Sequence, residues 1–184
     1  MHPMTLVGGR LMGSDGKEQA GSRRGEITPW TALVELFRLD RMFPGRQSCR
    51  RINFHEATLP DQAIPVPTIS GACMFLPRED YWVIGGMDEH YFLHGEDVDF
   101  CRRFREAGGN VLFCPQVEVI HEKGSSHQSP VRIERWKAQG LTRYFRIHFS
   151  GDYPWGVVSA VCGLVWLGFG FRAAKSKITA LFRS

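Results

Sequence analysis

The chain has 184 residues, 43% of them apolar and 12% aromatic, which is ample for one domain with a sizeable core. Its net charge of +4 is unevenly placed: Arg132, Arg135, Lys137, Arg143, Arg146, Arg172, Lys175, Lys177 and Arg183 crowd the last third and point to an anionic partner. The five cysteines are odd in number, widely spaced and without a CxxC pair, which argues against a disulfide framework or a zinc site and reads as core thiols in a reducing compartment.

In chain order, MHPMTLVGGRLMGSDG has no basic region followed by a long apolar run, so no secretory leader is expected. Thr5 to Met12 reads as a short strand, and Ser14-Asp15-Gly16-Lys17 as a turn, together a hairpin. From Pro29 to Phe43, Leu33, Leu36, Phe37 and Phe43 fall at helical spacing, with Thr28 as cap and Pro29 in the first turn. Pro44 to Pro67 carries four prolines and no sustained period, and is expected to be a loop. Thr68 to Leu76 reads as a mostly buried strand interrupted by Gly71. Pro77 then opens a short helix that Gly85-Gly86 ends.

Val98, Cys101, Phe104 and Ala107 recur every three residues on a helix that stops at Gly108-Gly109. Asn110 to Pro115 and Val117 to His121 read as two strands divided by Pro115. Strand and helix alternate, so the fold class is α/β. Trp155 to Phe171 is a run of 17 residues without a charge, slightly short of the ~20 that span a bilayer. Two readings stand: a buried core helix, or membrane attachment helped by Trp155, Trp166 and the basic flanks.

Glu96 and Asp97 follow Gly95 at a helix start, where free N–H groups and the positive end of the helix dipole favour an ionised carboxylate. One such carboxylate aimed at an incoming hydroxyl, with a second acid beside it to orient the acceptor, is what activation of an alcohol requires. An isolated GED is equally a helix cap. Asp97-Val98-Asp99 spells a metal-binding DxD, but residues two apart on a helix face different ways. Asp99 is instead expected to pair with Arg102 or Arg103.

Three strings carry more weight together: SGACMFLPRED, GGMDEHYFLHGEDVDFCRRFREAGG and VLFCPQVEVIHEKGSS. In order and spacing they resemble the second half of family 2 glycosyltransferases of the GT-A fold, especially the bacterial rhamnosyltransferase-like branch, over about residues 5 to 150. The resemblance implies an inverting transferase that moves a sugar such as rhamnose from a nucleotide-sugar donor to a lipid-linked or polysaccharide acceptor. Asp97 would be the base, Glu96 the acceptor-side carboxylate and His121 a ligand of the divalent metal, Mn²⁺ or Mg²⁺. Ser70, Gly71 and Ala72 would approach the donor sugar, because small residues at a strand end let substrate near the backbone; a simple bulge is the alternative. Lys123 is a candidate for diphosphate, while His90, Tyr91 and His94 flank the loop before GED.

The expected organisation is an acceptor and base half at 1–150 and an apolar, basic, membrane-associated tail at 151–184. The chain would then work at the cytoplasmic membrane face, peripheral or anchored by that tail, with no nucleic-acid partner. The family's nucleotide-binding strands and functional DxD have no counterpart here, so the expectation is an incomplete enzyme. A non-catalytic membrane-associated interaction module is the competing reading.

Overall fold

Thr5–Met12 forms β1, whose long partner lies 105 positions on in the chain: Thr5 pairs with Asn110, in parallel, and the pairing runs to Met12 and Ile120 of β5 (Asn110–Ile120). The computed structural model from which this follows describes residues 3–122 and 128–181. On its other side β5 takes the two-residue strand β3 (Ile64–Pro65), antiparallel, giving the order β1-β5-β3. A separate two-stranded ribbon joins β2 (Arg23–Arg24) to β4 (Thr68–Ile69). With the helices this is a mixed α/β fold, as expected from the alternation of elements.

The strands expected around β1, β4 and β5 change. The hairpin after β1 shrinks to a single antiparallel bridge between Met12 and Glu18, closed by the Gly13 amide on the Lys17 carbonyl at 2.9 Å. The strand expected over Thr68 to Leu76 is regular only at Thr68–Ile69; the chain then turns, with the Cys73 amide on the Ser70 carbonyl, and touches β1 again where Phe75 and Val7 exchange two 2.8 Å hydrogen bonds. Pro115 does not divide two strands. The register jumps from Gly9 opposite Cys114 to Arg10 opposite Glu118, so residues 115–117 bulge out of one continuous β5. A proline lacks an N–H, and in a bulge none is needed.

The first helix, α1 (Pro29–Phe37), starts where Thr28 and Pro29 predict. The Thr28 hydroxyl accepts from the Thr31 amide at 3.1 Å, and the Thr31 hydroxyl accepts from the Thr28 amide at 2.8 Å. It ends earlier than the spacing of apolar residues suggests, because Arg38 takes a left-handed conformation (φ 54°) and the chain restarts as the one-turn helix α2 (Leu39–Met42). The helices α3 (Arg78–Val83) and α4 (Glu96–Glu106) follow their predicted starts and glycine stops. Phe100, Cys101 and Phe104, one face of α4, pack with Leu6, Ile69, Val111 and Phe113, all essentially inaccessible to solvent. Each large apolar side chain removed from water in this way contributes about 1.5–3 kcal/mol.

Contacts group the chain into two compact units. One comprises Met1–Ile27, Arg51–His90 and Glu96–Ser125, the other Thr28–Arg50, Tyr91–Gly95 and Ser126–Ser184. The second holds the long helices α5 (Pro130–Phe149) and α6 (Val157–Leu181). On α6, Val158, Val161, Cys162 and Val165 are buried at helical spacing, whereas Leu167 and Phe171 are exposed. Val157–Ala174 is long and apolar enough to cross a membrane, and 22% of that stretch is buried. Glu134 of α5 accepts from Arg172 Nε of α6 at 2.7 Å and from Lys137 Nζ at 2.8 Å. Burial alone would raise its carboxyl, but these two cations hold it below the ordinary carboxylate value.

Candidate active site

The carboxylate pair stands where the sequence puts it, in the first turn of α4, with Arg103 and Arg105 in the last turn to complement the helix dipole. Just before it, His94 (φ 69°) and Gly95 (φ 102°) are consecutive left-handed residues that reverse the chain. Glycine takes such an angle without steric cost, whereas histidine there is strained by about 1 kcal/mol or more.

Three donors converge on Asp97. Its Oδ2 accepts from Arg24 Nη2 at 2.5 Å and from the Gly71 amide at 3.2 Å, and its Oδ1 accepts from the Val98 amide at 2.8 Å. Arg24 also donates to the Ile69 carbonyl at 2.9 Å, and the ion pair is largely sheltered, with 14% of each side chain exposed. The neighbouring Arg23 points the other way, as strand alternation requires. It is held by Glu18 at 2.9 Å and lies over the Phe113 ring. Sequence reasoning missed Arg24, since its partner is 73 residues away; the only trace was a double arginine in a short extended segment.

Of the predicted small residues, Gly71 is the one drawn into this cluster. A Cβ there would sit 3.3 Å from the Asp97 Cβ and 3.9 Å from Glu96 Oε1, so the glycine lets the backbone pass against both acids. Ser70 and Ala72 are tied to each other, the Ser70 hydroxyl accepting from the Ala72 amide at 3.3 Å. Gly71 and Ala72 also line an open, largely apolar cavity of about 620 Å³ with Phe75, Tyr81, Met87 and Phe100.

Asp99 is buried and bonded to Arg103 Nε at 2.7 Å, and the same guanidinium donates to the Ile84 and Gly86 carbonyls. It is a structural acid, as its helical position predicts. His90 is bonded to its neighbour Asp88 at 2.7 Å and stands mostly in solvent. Lys123 lies outside the described residues.

His121 stands elsewhere, in a polar cavity of about 470 Å³ with Asp15, Glu18, Gln19 and Glu122. Its Nδ1 is 3.0 Å from Gln19 Oε1, an arrangement that orients the ring. Among the described residues no three His, Cys, Asp or Glu side chains gather closely enough to hold a metal ion. The donor chemistry of His121 suits one bond to a divalent metal, and the described residues supply no complete ligand set.

All five thiols are free; Cys49, Cys101 and Cys162 are buried as core cysteines are, whereas Cys73 and Cys114 are only half-buried, so the expectation of five core thiols holds for three. Burial pushes the Cys101 thiol up to about 12, so it is inert as a nucleophile near neutrality.

The chain is 40% identical over 62 residues to the N-acetylglucosaminyl-diphospho-decaprenol L-rhamnosyltransferase of Mycobacterium tuberculosis, a match covering 34% of this chain and 20% of that protein. It is 26% identical over 98 residues to rhamnosyltransferase WbbL of Escherichia coli, covering 50% of this chain and 37% of that protein. A low-salt glycan biosynthesis hexosyltransferase of Haloferax volcanii is 32% identical over 59 residues, 32% of this chain and 19% of that one. These matches thus span a fifth to about two fifths of the relatives' own lengths. The model of the glycosyltransferase-like family 2 matches residues 30–139, well over half of the sequence, and the chain belongs to that family.

Proposed function

We propose that this chain contributes the base and acceptor side of an inverting sugar transfer, with Asp97 as base and Glu96 as the acceptor-side carboxylate. The observation that carries the reading is the convergence of Arg24, the Gly71 amide and the Val98 amide on one carboxylate at a helix start. Such a group is fixed in orientation before substrate arrives, which is what a general base requires. In the step, the acceptor hydroxyl loses its proton to Asp97 while its oxygen bonds to the anomeric carbon on the face opposite the departing nucleoside diphosphate. That leaving group takes the electron pair of the broken C–O bond. Ser70, Gly71 and Ala72 bring the backbone close to the donor sugar.

Rhamnose as the transferred sugar is supported by both rhamnosyltransferase relatives, and a lipid-linked saccharide as acceptor by the Mycobacterium tuberculosis one. A divalent metal, Mn²⁺ or Mg²⁺, would supply charge neutralisation at the diphosphate when bound, with His121 as one ligand. The apolar stretch of α6 and the basic residues near it in the sequence support attachment at the cytoplasmic membrane surface.

The test is turnover of nucleotide-rhamnose on a lipid-linked N-acetylglucosamine acceptor by this chain joined to a DxD-bearing nucleotide-binding half. Asp97→Asn is expected to lower the rate by about two to four orders of magnitude, the range of a general base. An unchanged rate removes Asp97 from that role. A second reading, a non-catalytic interaction module, draws on the small share of its relatives' length that the chain matches. Calorimetry with Mn²⁺ and nucleotide-sugars separates the two: metal-dependent donor binding counts against the module.

A further inference from the structure

From Val157 to Phe171 the helix α6 carries no charge, and its two sides meet different surroundings. Val158, Val161, Cys162 and Val165 are buried on one stripe, packed with α5 and α1 of the same compact unit. A Cβ on Gly168, next along that stripe, would fall 2.6 Å from Leu36 Cδ1 of α1. The opposite stripe, half a helical turn round, presents Ala160, Gly163, Leu167, Gly170 and Phe171, with Trp166 beside it, all exposed and uncharged.

Two contacts fix how α6 runs along α5. Arg172 Nε donates to Glu134 Oε2 at 2.7 Å, and Cys162 Sγ donates to the Thr142 carbonyl at 3.9 Å. The two helices are therefore antiparallel, and the apolar stretch of α6 lies alongside a helix that bears Arg132, Arg135, Lys137, Arg143 and Arg146 against one acid, Glu134. Crossing a bilayer in this packing would carry those charges into hydrocarbon, where ionised side chains are strongly disfavoured. Crossing alone would strip α5 and α1 from the buried stripe and break both contacts.

We infer that α6 lies in the plane of an anionic membrane leaflet, its outward stripe sunk among the acyl chains and its buried stripe kept against α5, so that the chain stays on one side of the membrane. This rests on the membrane-attachment reading and gives it a geometry. Leu167 and Phe171, 60% and 77% exposed, are the anchors, and Trp166 suits the boundary between headgroups and acyl chains. The helix α5 remains at headgroup level, where its excess of basic residues complements anionic lipid.

The side on which the end of the chain lies tests the placement. Expressed in a bacterial host with a protease-cleavable tag after Ser184, the chain is expected in the membrane fraction. The tag should be cut at least tenfold faster in inverted vesicles, whose cytoplasmic face is outward, than in intact spheroplasts. Leu167→Asp with Phe171→Asp should move the chain to the soluble fraction with its circular dichroism unchanged, because both residues are exposed, whereas Leu167→Phe with Phe171→Leu should leave it on the membrane. The purified chain should bind phosphatidylcholine vesicles at least tenfold better once phosphatidylglycerol is added. Faster cutting in spheroplasts, or an aspartate variant that stays on the membrane, overturns the in-plane placement and leaves attachment standing. Equal binding to both kinds of vesicle overturns the anionic leaflet. A wild-type chain found wholly in the soluble fraction overturns attachment, and the placement with it.

Discussion

Arg24 and Asp97 are the residues on which the site's geometry turns, and their pairing has a cost that can be measured. Removing one partner of a sheltered ion pair leaves the other charge uncompensated, which in fully buried pairs costs about 3–5 kcal/mol. With 14% of each side chain still exposed, Arg24→Gln is expected to destabilise the chain by about 2–3 kcal/mol in urea denaturation, and Arg24→Lys by less. A loss indistinguishable from zero would mean that the pair is solvated and does not fix the carboxylate. Cys101 offers a second measurement. Its thiol keeps its proton in the folded chain up to about 12, whereas an unfolded thiol ionises near its ordinary value of 9.0. Above pH 9 the unfolded state therefore binds fewer protons than the folded one, and stability falls with rising pH by about 1.4 kcal/mol per unit until the folded thiol titrates. Cys101→Ala should flatten the alkaline limb relative to wild type. Labelling with iodoacetamide at pH 8 should likewise spare Cys101 until the chain unfolds. The sequence shows Glu96 and Asp97 through local signals, a glycine before and an apolar period after. Arg24 has no local signal, because ion pairs between distant segments are set by the tertiary fold.

At the scale of elements, helix starts were easier to read than ends. Thr28 and Pro29 announce α1 through chemistry contained in four residues, and the capping box is present as drawn. Thr28→Ala should therefore cost about 1 kcal/mol in thermal or urea unfolding, while Thr28→Ser should cost little; equal losses in both would assign the effect to the threonine methyl instead of the cap. The break at Arg38 had no such announcement, since arginine carries no local preference for a left-handed conformation and the apolar spacing continues past it. Pro115 misled for a related reason. A proline argues against a ladder position, and it sits in residues that the ladder skips, so the rule held locally while the strand continued. Only the pairing partner, β1, reveals that the segments on either side are one strand. The stretch from Thr68 to Leu76 is apolar enough for a long strand, yet it bends at Ser70 to carry Gly71 past the carboxylates.

For the molecule as a whole, the outward face of α6 is the feature with an external consequence. A stretch of membrane-crossing length that is 22% buried leaves much apolar surface in contact with solvent, and aggregation or membrane contact is the usual outcome of such a surface. The chain should co-sediment with vesicles containing anionic lipid, and aspartate placed at Leu167 and Phe171 should weaken that binding at least tenfold. Binding that salt abolishes and the aspartates leave unchanged would assign it to the basic residues alone. The α/β class and the position of the carboxylates were legible in the sequence, because periodicity and glycine stops are local. Which segments gather into which compact unit was not legible, because that depends on contacts between residues far apart in the chain.

The backbone passes from one compact unit to the other five times, once on each side of the segment Tyr91–Gly95. Their polypeptide is thus braided, and no single cut yields two intact pieces.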